Sequence, residues 1–128
     1  MRINLGQDKS DTINNTHACF EGTDLEGYAF EIDIQRIDDG ELQDIQERFS
    51  TVKDKRIAID FFNAQIETFV HIVKGWRNIN GVDGVPIPCT DENKRAIARR
   101  IRDLREGVIV AARRPEVLDD IQEVEEKN

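Results

Sequence analysis

Residues 53–74, KDKRIAIDFFNAQIETFVHIVK, carry the most regular pattern in the chain. Polar side chains recur there every three or four positions, and most of the residues between them are apolar. This spacing predicts a single helix over Lys53–Lys74, which is apolar around most of its girth. Its own domain or a partner protein must cover such a helix. The polar positions are Lys53, Arg56, Asp60, Asn63, Glu67, His71 and Lys74.

This helix offers a candidate surface for a partner protein. The chain has 128 residues, enough for one domain with one modest core. Complete burial of the helix within so small a domain is difficult, so part of its apolar surface is expected to bind another chain. The alternative is an ordinary core helix. The candidate partner-binding residues are Phe61, Phe62, Ile66, Phe69 and Val73.

An antiparallel β-hairpin is predicted before this helix. Its strands are Thr16–Phe20 and Tyr28–Ile37, which flank a turn-rich segment. In the second strand Phe30, Ile32 and Ile34 alternate with polar residues, the period of a half-buried strand. Because a lone hairpin is marginal in water, its apolar face is expected to rest on helices.

Further helices are predicted on both sides of residues 53–74. A short one over Glu41–Ser50 has Asp38 or Asp39 as its cap. A basic amphipathic helix runs from the Thr90 cap to about Arg113. Gly107 weakens that helix by about 1 kcal/mol relative to alanine, which leaves open a separate element over residues 108–110.

The predicted fold is therefore α+β, mainly helical, with an N-terminal antiparallel β-hairpin packed on three or four helices. It forms a single domain over residues 1–128, in which residues 1–12 and 116–128 are expected to be loosely ordered. An acidic helix over Glu116–Glu126 is the alternative for the second of these segments.

Charge and composition restrict the class of protein. The net charge of −8 disfavours generic binding to nucleic acid. No apolar run approaches the roughly 20 residues of a membrane helix, and the first residues lack the apolar core of a signal peptide. Cys19 and Cys89 do not form a disulfide framework. A cytoplasmic protein with free thiols is expected.

The chain lacks the usual motifs of metal sites and enzymes. His17 and Cys19 are not spaced as a usual zinc pair, and His71 lies on the polar stripe of the predicted helix. We expect no metal, no cofactor and no catalytic residue. One alternative is a small enzyme built on Cys89, because a helix start can lower the pKa of a thiol.

A second alternative is a small nucleic-acid-binding regulator that uses the basic helix at residues 94–105. Its sequence, KRAIARRIRDLR, is amphipathic and could lie along phosphates. The overall acidity of the chain and the acidic segment after Pro115 argue against this reading.

The loop Trp76–Asn93, WRNINGVDGVPIPCTDEN, contains two of the three prolines and the only tryptophan. We interpret it as a structural clamp between two helices. The tryptophan closes the end of the apolar helix, two glycines allow positive φ, and two prolines stiffen the approach to the threonine cap. The clamp residues are Trp76, Gly81, Gly84, Pro86, Pro88 and Thr90.

This loop also carries a resemblance to a known family. The segments Val73-Lys74-Gly75-Trp76, Val82–Thr90 and Glu92-Asn93 resemble the tail assembly chaperones of long-tailed bacteriophages. In that family a helix commonly ends in a Gly-Trp pair. A short Asp-Gly turn, a hydrophobic-Pro segment and a Thr- or Ser-capped helix start with Glu-Asn follow. The resemblance covers about residues 28–105 but does not account for the arginines after Asn93.

The resemblance implies a non-enzymatic phage or prophage protein. Such a protein binds the long helical tape-measure protein and helps to recruit tail-tube subunits around it. It acts in the host bacterial cytoplasm and is not part of the mature virion. Its partners would be the tape-measure and tail-tube proteins, and a homo-oligomer is left open.

Overall fold

The computed structural model describes residues 10–113. This part of the chain contains five antiparallel strands and four α-helices. The α+β class and the mainly helical content predicted from the sequence are confirmed. The strands are β1 (Ser10–Asn14), β2 (Glu31–Gln35), β3 (Ser50–Lys53), β4 (Arg56–Ile59) and β5 (Val73–Arg77). The helices are α1 (Asp39–Arg48), α2 (Phe61–Ile72), α3 (Asp91–Arg100) and α4 (Arg102–Ala112), with a 3-10 turn at Ala18–Phe20.

Strand β2 is the centre of the larger sheet, whose order is β1-β2-β5. Ile13 lies opposite Ile32, and Ile32 lies opposite Trp76, both in antiparallel register. The side chains of Ile13, Ile32 and Ile34 are buried, whereas Asp33 lies on the opposite, wetter face. The alternation predicted for β2 therefore correctly identifies the face that packs on the helices.

The first strand lies earlier than the sequence pattern predicts. Thr16–Phe20 is not a strand but a turn that ends in the 3-10 helix. Phe20 is wholly buried, and its ring meets that of Phe30 edge-on at 5.4 Å between centroids. A buried aromatic anchor resembles a strand residue in composition, which explains the error. Residues 10–12 belong to β1, so the loose start predicted for residues 1–12 does not reach them. The prediction for residues 116–128 lies outside the described residues.

Helix α1 confirms the predicted short helix and its cap. The carboxylate of Asp38 accepts a hydrogen bond of 2.8 Å from the backbone N–H of Glu41, which satisfies one of the open donors of the first turn. Ile45 faces the core from the middle of the helix. The helix ends at Arg48, two residues earlier than predicted, because Ser50 already begins β3.

The prediction of one helix over Lys53–Lys74 is wrong for its first part. Strands β3 and β4 form a two-stranded antiparallel hairpin there, with Val52 opposite Ile57. Asp54 and Lys55 make the turn with φ of 53° and 62°, the left-handed conformation that two-residue hairpin turns require. β-branched residues make up half of each strand and favour extended backbone. The helical spacing of the polar residues in this stretch is therefore coincidental.

Helix α2 occupies the rest of that stretch. The carboxylate of Asp60 caps it by accepting a hydrogen bond of 3.2 Å from the N–H of Asn63. The helix ends at Ile72, and the chain enters β5 at Val73 without an intervening loop. Helices α1, α3 and α4 all pack against α2. The predicted spine therefore exists, although it is shorter and more enclosed than the sequence suggests.

The predicted basic helix divides at Ile101 and not at Gly107. Ile101 has φ −115° and ψ 93°, an extended conformation that separates α3 from α4. The guanidinium of Arg105 donates a hydrogen bond of 2.7 Å to the carbonyl of Ala98. This bond satisfies one of the carbonyls that the end of α3 leaves open. Gly107 instead lies within α4, where it allows Phe20 to approach the helix closely.

Gly107→Ala tests that close approach. A Cβ at this position would lie 2.6 Å from Cε1 of Phe20, whose ring is wholly buried. We expect the substitution to lower the free energy of unfolding by about 1–3 kcal/mol, although alanine is the better helix former. Urea denaturation measures the change. In a Phe20→Leu background the same substitution should cost less, and an unchanged cost would contradict the proposed clash.

The exposed face of the sheet carries an ionic network centred on Asp33. Arg77 on β5 donates to Asp33 at 2.8 and 3.0 Å and to Glu31 at 2.9 Å, and the hydroxyl of Thr12 on β1 donates to Asp33 at 2.8 Å. The network therefore joins all three strands. The Arg77 guanidinium first, and then the Thr12 hydroxyl, hold the pKa of Asp33 below its usual value.

This lowered pKa predicts how stability depends on pH. The ionised Asp33 stabilises the fold fully above the pKa of an unfolded aspartate, about 3.9, and the contribution is lost as the pH falls through the lower folded value. Asp33→Asn should therefore lower the urea midpoint at neutral pH, and the gap to the wild type should close in acid. A gap that stays constant with pH would show that the charge of Asp33 is not responsible.

Candidate partner-binding surface

The five predicted partner-binding residues do not form one surface. Phe61 and Phe62, in the first turn of α2, are 56% and 45% exposed. Ile66, Phe69 and Val73 are buried in the core. Ile66 and Phe69 lie on a stripe of α2 that α3, α4 and the sheet cover, and Val73 is the first residue of β5. The prediction of an exposed face is therefore wrong for these three residues.

Phe62 is exposed but already engaged. The guanidinium carbons of Arg99 and Arg105 lie 5.7 and 5.1 Å from the centre of its ring, within the range of cation–π attraction. Arg105 is itself buried and donates a hydrogen bond of 3.1 Å to the side-chain oxygen of Gln65. Phe62 therefore joins the start of α2 to α3 and α4, and Phe61 is the freer of the two rings.

The hairpin presents apolar side chains that sequence reasoning missed. Val52 and Ile57 are 78% and 74% exposed. Val52 and Ile57 lie directly opposite each other in the hairpin. Two residues further from the turn, Ser50 lies opposite Ile59 on the same side of the two strands. These four residues form one side of the hairpin, here called the hairpin face, because alternate residues share a side of a strand. The alternation of Val52, Lys53 and of Arg56, Ile57 could have revealed it.

An open groove of about 530 Å³ lies between α1 and the hairpin face. Helix α1 lines it with side chains three and four positions apart, which therefore share one stripe of the helix. The apolar part of the lining comes from Leu42 of α1 and from Ile57 and Ile59 of the hairpin. Asp39 and Glu47 of α1 supply the acidic side chains, and Arg113 at the end of α4 supplies one cation.

Three of the six cations in the basic segment at residues 94–105 have acidic neighbours within the chain. Arg95 donates to Glu67 of α2 at 2.7 Å, and Arg102 donates to Glu106 at 3.0 Å. Lys94 lies 3.4 Å from Asp91. A break at residue 101 also interrupts the helix that, in the alternative prediction, could lie along phosphates. This arrangement weakens the case for a nucleic-acid-binding surface.

The loop predicted as a clamp between two helices instead joins β5, which contains Trp76, to α3, and a series of hydrogen bonds holds it. The indole Nε1–H of Trp76 donates to the carbonyl of Ile87 at 2.7 Å, and the N–H of Ile87 donates to the carbonyl of Ile79 at 2.9 Å. Gly84 has φ of +79° at the turn, as predicted. Gly81 does not have positive φ; Asn78, with φ of 62°, takes that conformation instead.

The second half of the loop leads into α3. Pro86 forms an isolated β-bridge with Asn80. The carbonyl of Pro88 accepts a hydrogen bond of 2.9 Å from the side chain of Asn93. The hydroxyl of Thr90 accepts one of 3.2 Å from the N–H of Asn93, the predicted cap. Asn93 therefore ties α3 to the loop.

The thiols do not favour a nucleophilic or metal site. Burial raises the pKa of the Cys89 thiol, which is the opposite of the activation that the start of α3 could have supplied. Cys19 lies 3.3 Å from Nδ1 of His17 in a separate part of the fold. Within residues 10–113, no three His, Cys, Asp or Glu side chains are grouped in a way that could hold a metal ion.

Comparisons of the chain with protein-family models, with curated proteins and with solved structures found no match. In the described part of the chain, no helix combines the length and the apolar character that crossing a membrane requires.

Trp76→Phe tests the clamp. The substitution keeps an aromatic ring but removes the N–H that bonds to Ile87, so we expect a loss of about 0.5–1.5 kcal/mol in the free energy of unfolding. Urea denaturation measures it. The control is Val85→Ala at the exposed tip of the same loop, which should stay within about 0.5 kcal/mol of the wild type. Equal stability of Trp76→Phe and the wild type would show that this bond does not hold the loop.

Proposed function

We propose that this chain is a non-enzymatic tail assembly chaperone of a long-tailed phage or prophage. In this role it binds the tape-measure protein and helps to recruit tail-tube subunits in the host bacterial cytoplasm, and it is absent from the mature virion. The link to phage tails rests on the resemblance of the loop around Trp76–Asn93. The link to a binding role rests on the exposed apolar side chains between residues 52 and 62.

The observation that carries the binding role is the concentration of exposed apolar side chains between residues 52 and 62. Half of the large apolar side chains that are exposed within residues 10–113 lie in this short stretch. They sit on the hairpin and on the turn of α2 that follows it, and Val52, Ile57 and Phe61 are the most exposed of them. Exposed apolar side chains close together mark sites where a partner protein binds.

A chaperone for an apolar helical client needs accessible apolar surface, high solubility and an affinity low enough to release the client. The hairpin supplies the first requirement, and the net charge of −8 supplies the second. The low affinity follows if the client contacts only a small surface, since an interface needs about 1,000 Å² or more to be stable. An amphipathic client helix would dock with anchors three and four residues apart.

The test is co-expression with the tape-measure protein of the same phage or prophage, followed by measurement of the affinity of the complex. In the double variant Val52→Thr and Ile57→Thr, the threonines keep the β-branched shape that the strands favour and remove the apolar contact. We expect binding to weaken at least about tenfold, or 1.4 kcal/mol, because burial of each side chain contributes about 1.5–3 kcal/mol.

The matched control is Val82→Thr with Val85→Thr, which makes the same change at two exposed valines of the loop. The hairpin and the loop are connected to opposite ends of α2, so the control should bind as the wild type does. Equal weakening by both pairs would mean that the hairpin is not a distinct site. Absence of any complex between the wild-type chain and the tape-measure protein would refute the proposed function.

A further inference from the structure

The tip of the hairpin and the groove beside it carry opposite charges. Lys53, Lys55 and Arg56 surround the turn, with Asp54 as the only acid among them. Asp39 and Glu47 lie on the α1 side of the groove, and Arg113 is the one cation in its lining, so the lining carries a net negative charge. Within residues 10–113, no ion pair neutralises any of these three cations or two groove carboxylates. Both surfaces therefore keep charge that a docked partner of opposite sign could neutralise.

The hairpin tip and the groove each also carry apolar side chains beside their charged ones. Val52 and Ile57 directly adjoin the cations of the tip and are largely exposed. The groove presents Leu42 and Ile59 beside its carboxylates. Each surface thus combines an apolar centre with a charged border, the arrangement of protein–protein interfaces. In their chemistry the two are complementary to each other.

The hairpin is also incompletely supported by its own chain. It is a sheet of only two strands. A backbone hydrogen bond of 3.0 Å from Asp60 N–H to the carbonyl of Phe49 closes its base, but its outer residues from Thr51 to Ala58 are all exposed. Two-stranded hairpins are marginally stable in water unless another surface covers them. A partner that covers the hairpin face would therefore also stabilise the hairpin.

We propose that the partner is a second copy of this chain, and that each copy inserts its hairpin tip into the groove of the other. The exchange is reciprocal, so both copies use the same surfaces, as twofold symmetry requires. Lys53, Lys55 and Arg56 of one copy approach Asp39 and Glu47 of the other, while Val52 of each copy leaves water. The proposal does not depend on the tail-assembly function. If both hold, the dimer covers the surface that the client uses, and the two binding events compete.

Charge distinguishes this occupant from the segment after Arg113, which could reach the groove along the chain. Residues 115–128 are rich in Asp and Glu, with Lys127 as the only cation among them. That segment would place like charges beside Asp39 and Glu47, an unfavourable arrangement. The hairpin tip of a second copy places opposite charges there.

Two charge-reversed variants of the full chain test the proposal. The hairpin variant is Lys53→Glu with Arg56→Glu, and the groove variant is Gln43→Lys with Glu47→Lys, which leaves Asp39 in the first turn where the helix dipole favours an acid. By sedimentation equilibrium, the wild type should form a dimer that weakens as salt rises. Each variant alone should associate at least about tenfold more weakly, because like charges then meet. An equimolar mixture should recover association, since each surface of one variant then meets the opposite charge on the other.

The matched control is Lys74→Glu with Arg100→Glu, which changes the net charge as the hairpin variant does but at exposed sites on other elements. It should dimerise as the wild type does. Circular dichroism and urea denaturation verify that each variant folds. A wild type that stays monomeric at every concentration would overturn the proposal, as would a mixture of the two folded variants that fails to associate.

Carbodiimide cross-linking of a mixture of isotopically light and heavy wild-type chain provides a test without substitutions. The expected product joins Lys53 or Lys55 of one copy to Asp39 or Glu47 of the other, as peptide pairs of mixed isotope. If these carboxylates cross-link only to residues 114–128 of the same chain, or only to an added tape-measure protein, the groove has a different occupant and the dimer is wrong.

Discussion

The junction of Ile72 and Val73 is the constraint on which the other contacts depend. Both side chains are wholly buried, and the backbone changes from helix to strand between them. Because no loop intervenes, α2 must lie where β5 can reach the edge of β2. The sheet and α2 are thereby joined at one point, and α1, α3 and α4 pack around the helix. Phe20, from the long connection between β1 and β2, closes the remaining gap against Gly107.

This enclosure decides which polar and apolar groups remain available for binding. The core takes Ile66 and Phe69 from the predicted binding face, and ion pairs with Glu67 and Glu106 occupy two arginines of the basic segment. The hairpin lies outside the helical core and keeps its apolar and cationic side chains exposed. Parts of both surfaces that the sequence made conspicuous are thus used internally. The surface that remains available is the hairpin over residues 50–59, of which residues 53–59 were predicted as the start of a helix.

Local rules explain which predictions were correct. The caps at Asp38 and Thr90 and the positive φ of Gly84 depend on the residue and its immediate neighbours, and all are present in the structure. Period-two alternation likewise identified the buried face of β2. The hairpin over residues 50–59 was missed because Lys53, Arg56 and Asp60 are also spaced as on a helix. Asp54 and Lys55 are less specific for a tight turn than Asn-Gly. No local feature therefore argued against the predicted helix over Lys53–Lys74.

Sequence patterns alone were enough to predict the α+β class, α1, the main part of α2, the start of α3, and an ordered loop after Trp76. These features depend on hydrogen bonds and periodicities within a few residues of the chain. Only the tertiary structure decided that Phe61 is exposed while Phe69 is buried, that Arg105 enters the core, and that α3 ends at residue 100. The reason is that a stripe of apolar residues shows which side of a helix avoids water. Whether the chain itself or another protein covers that side depends on where distant elements pack.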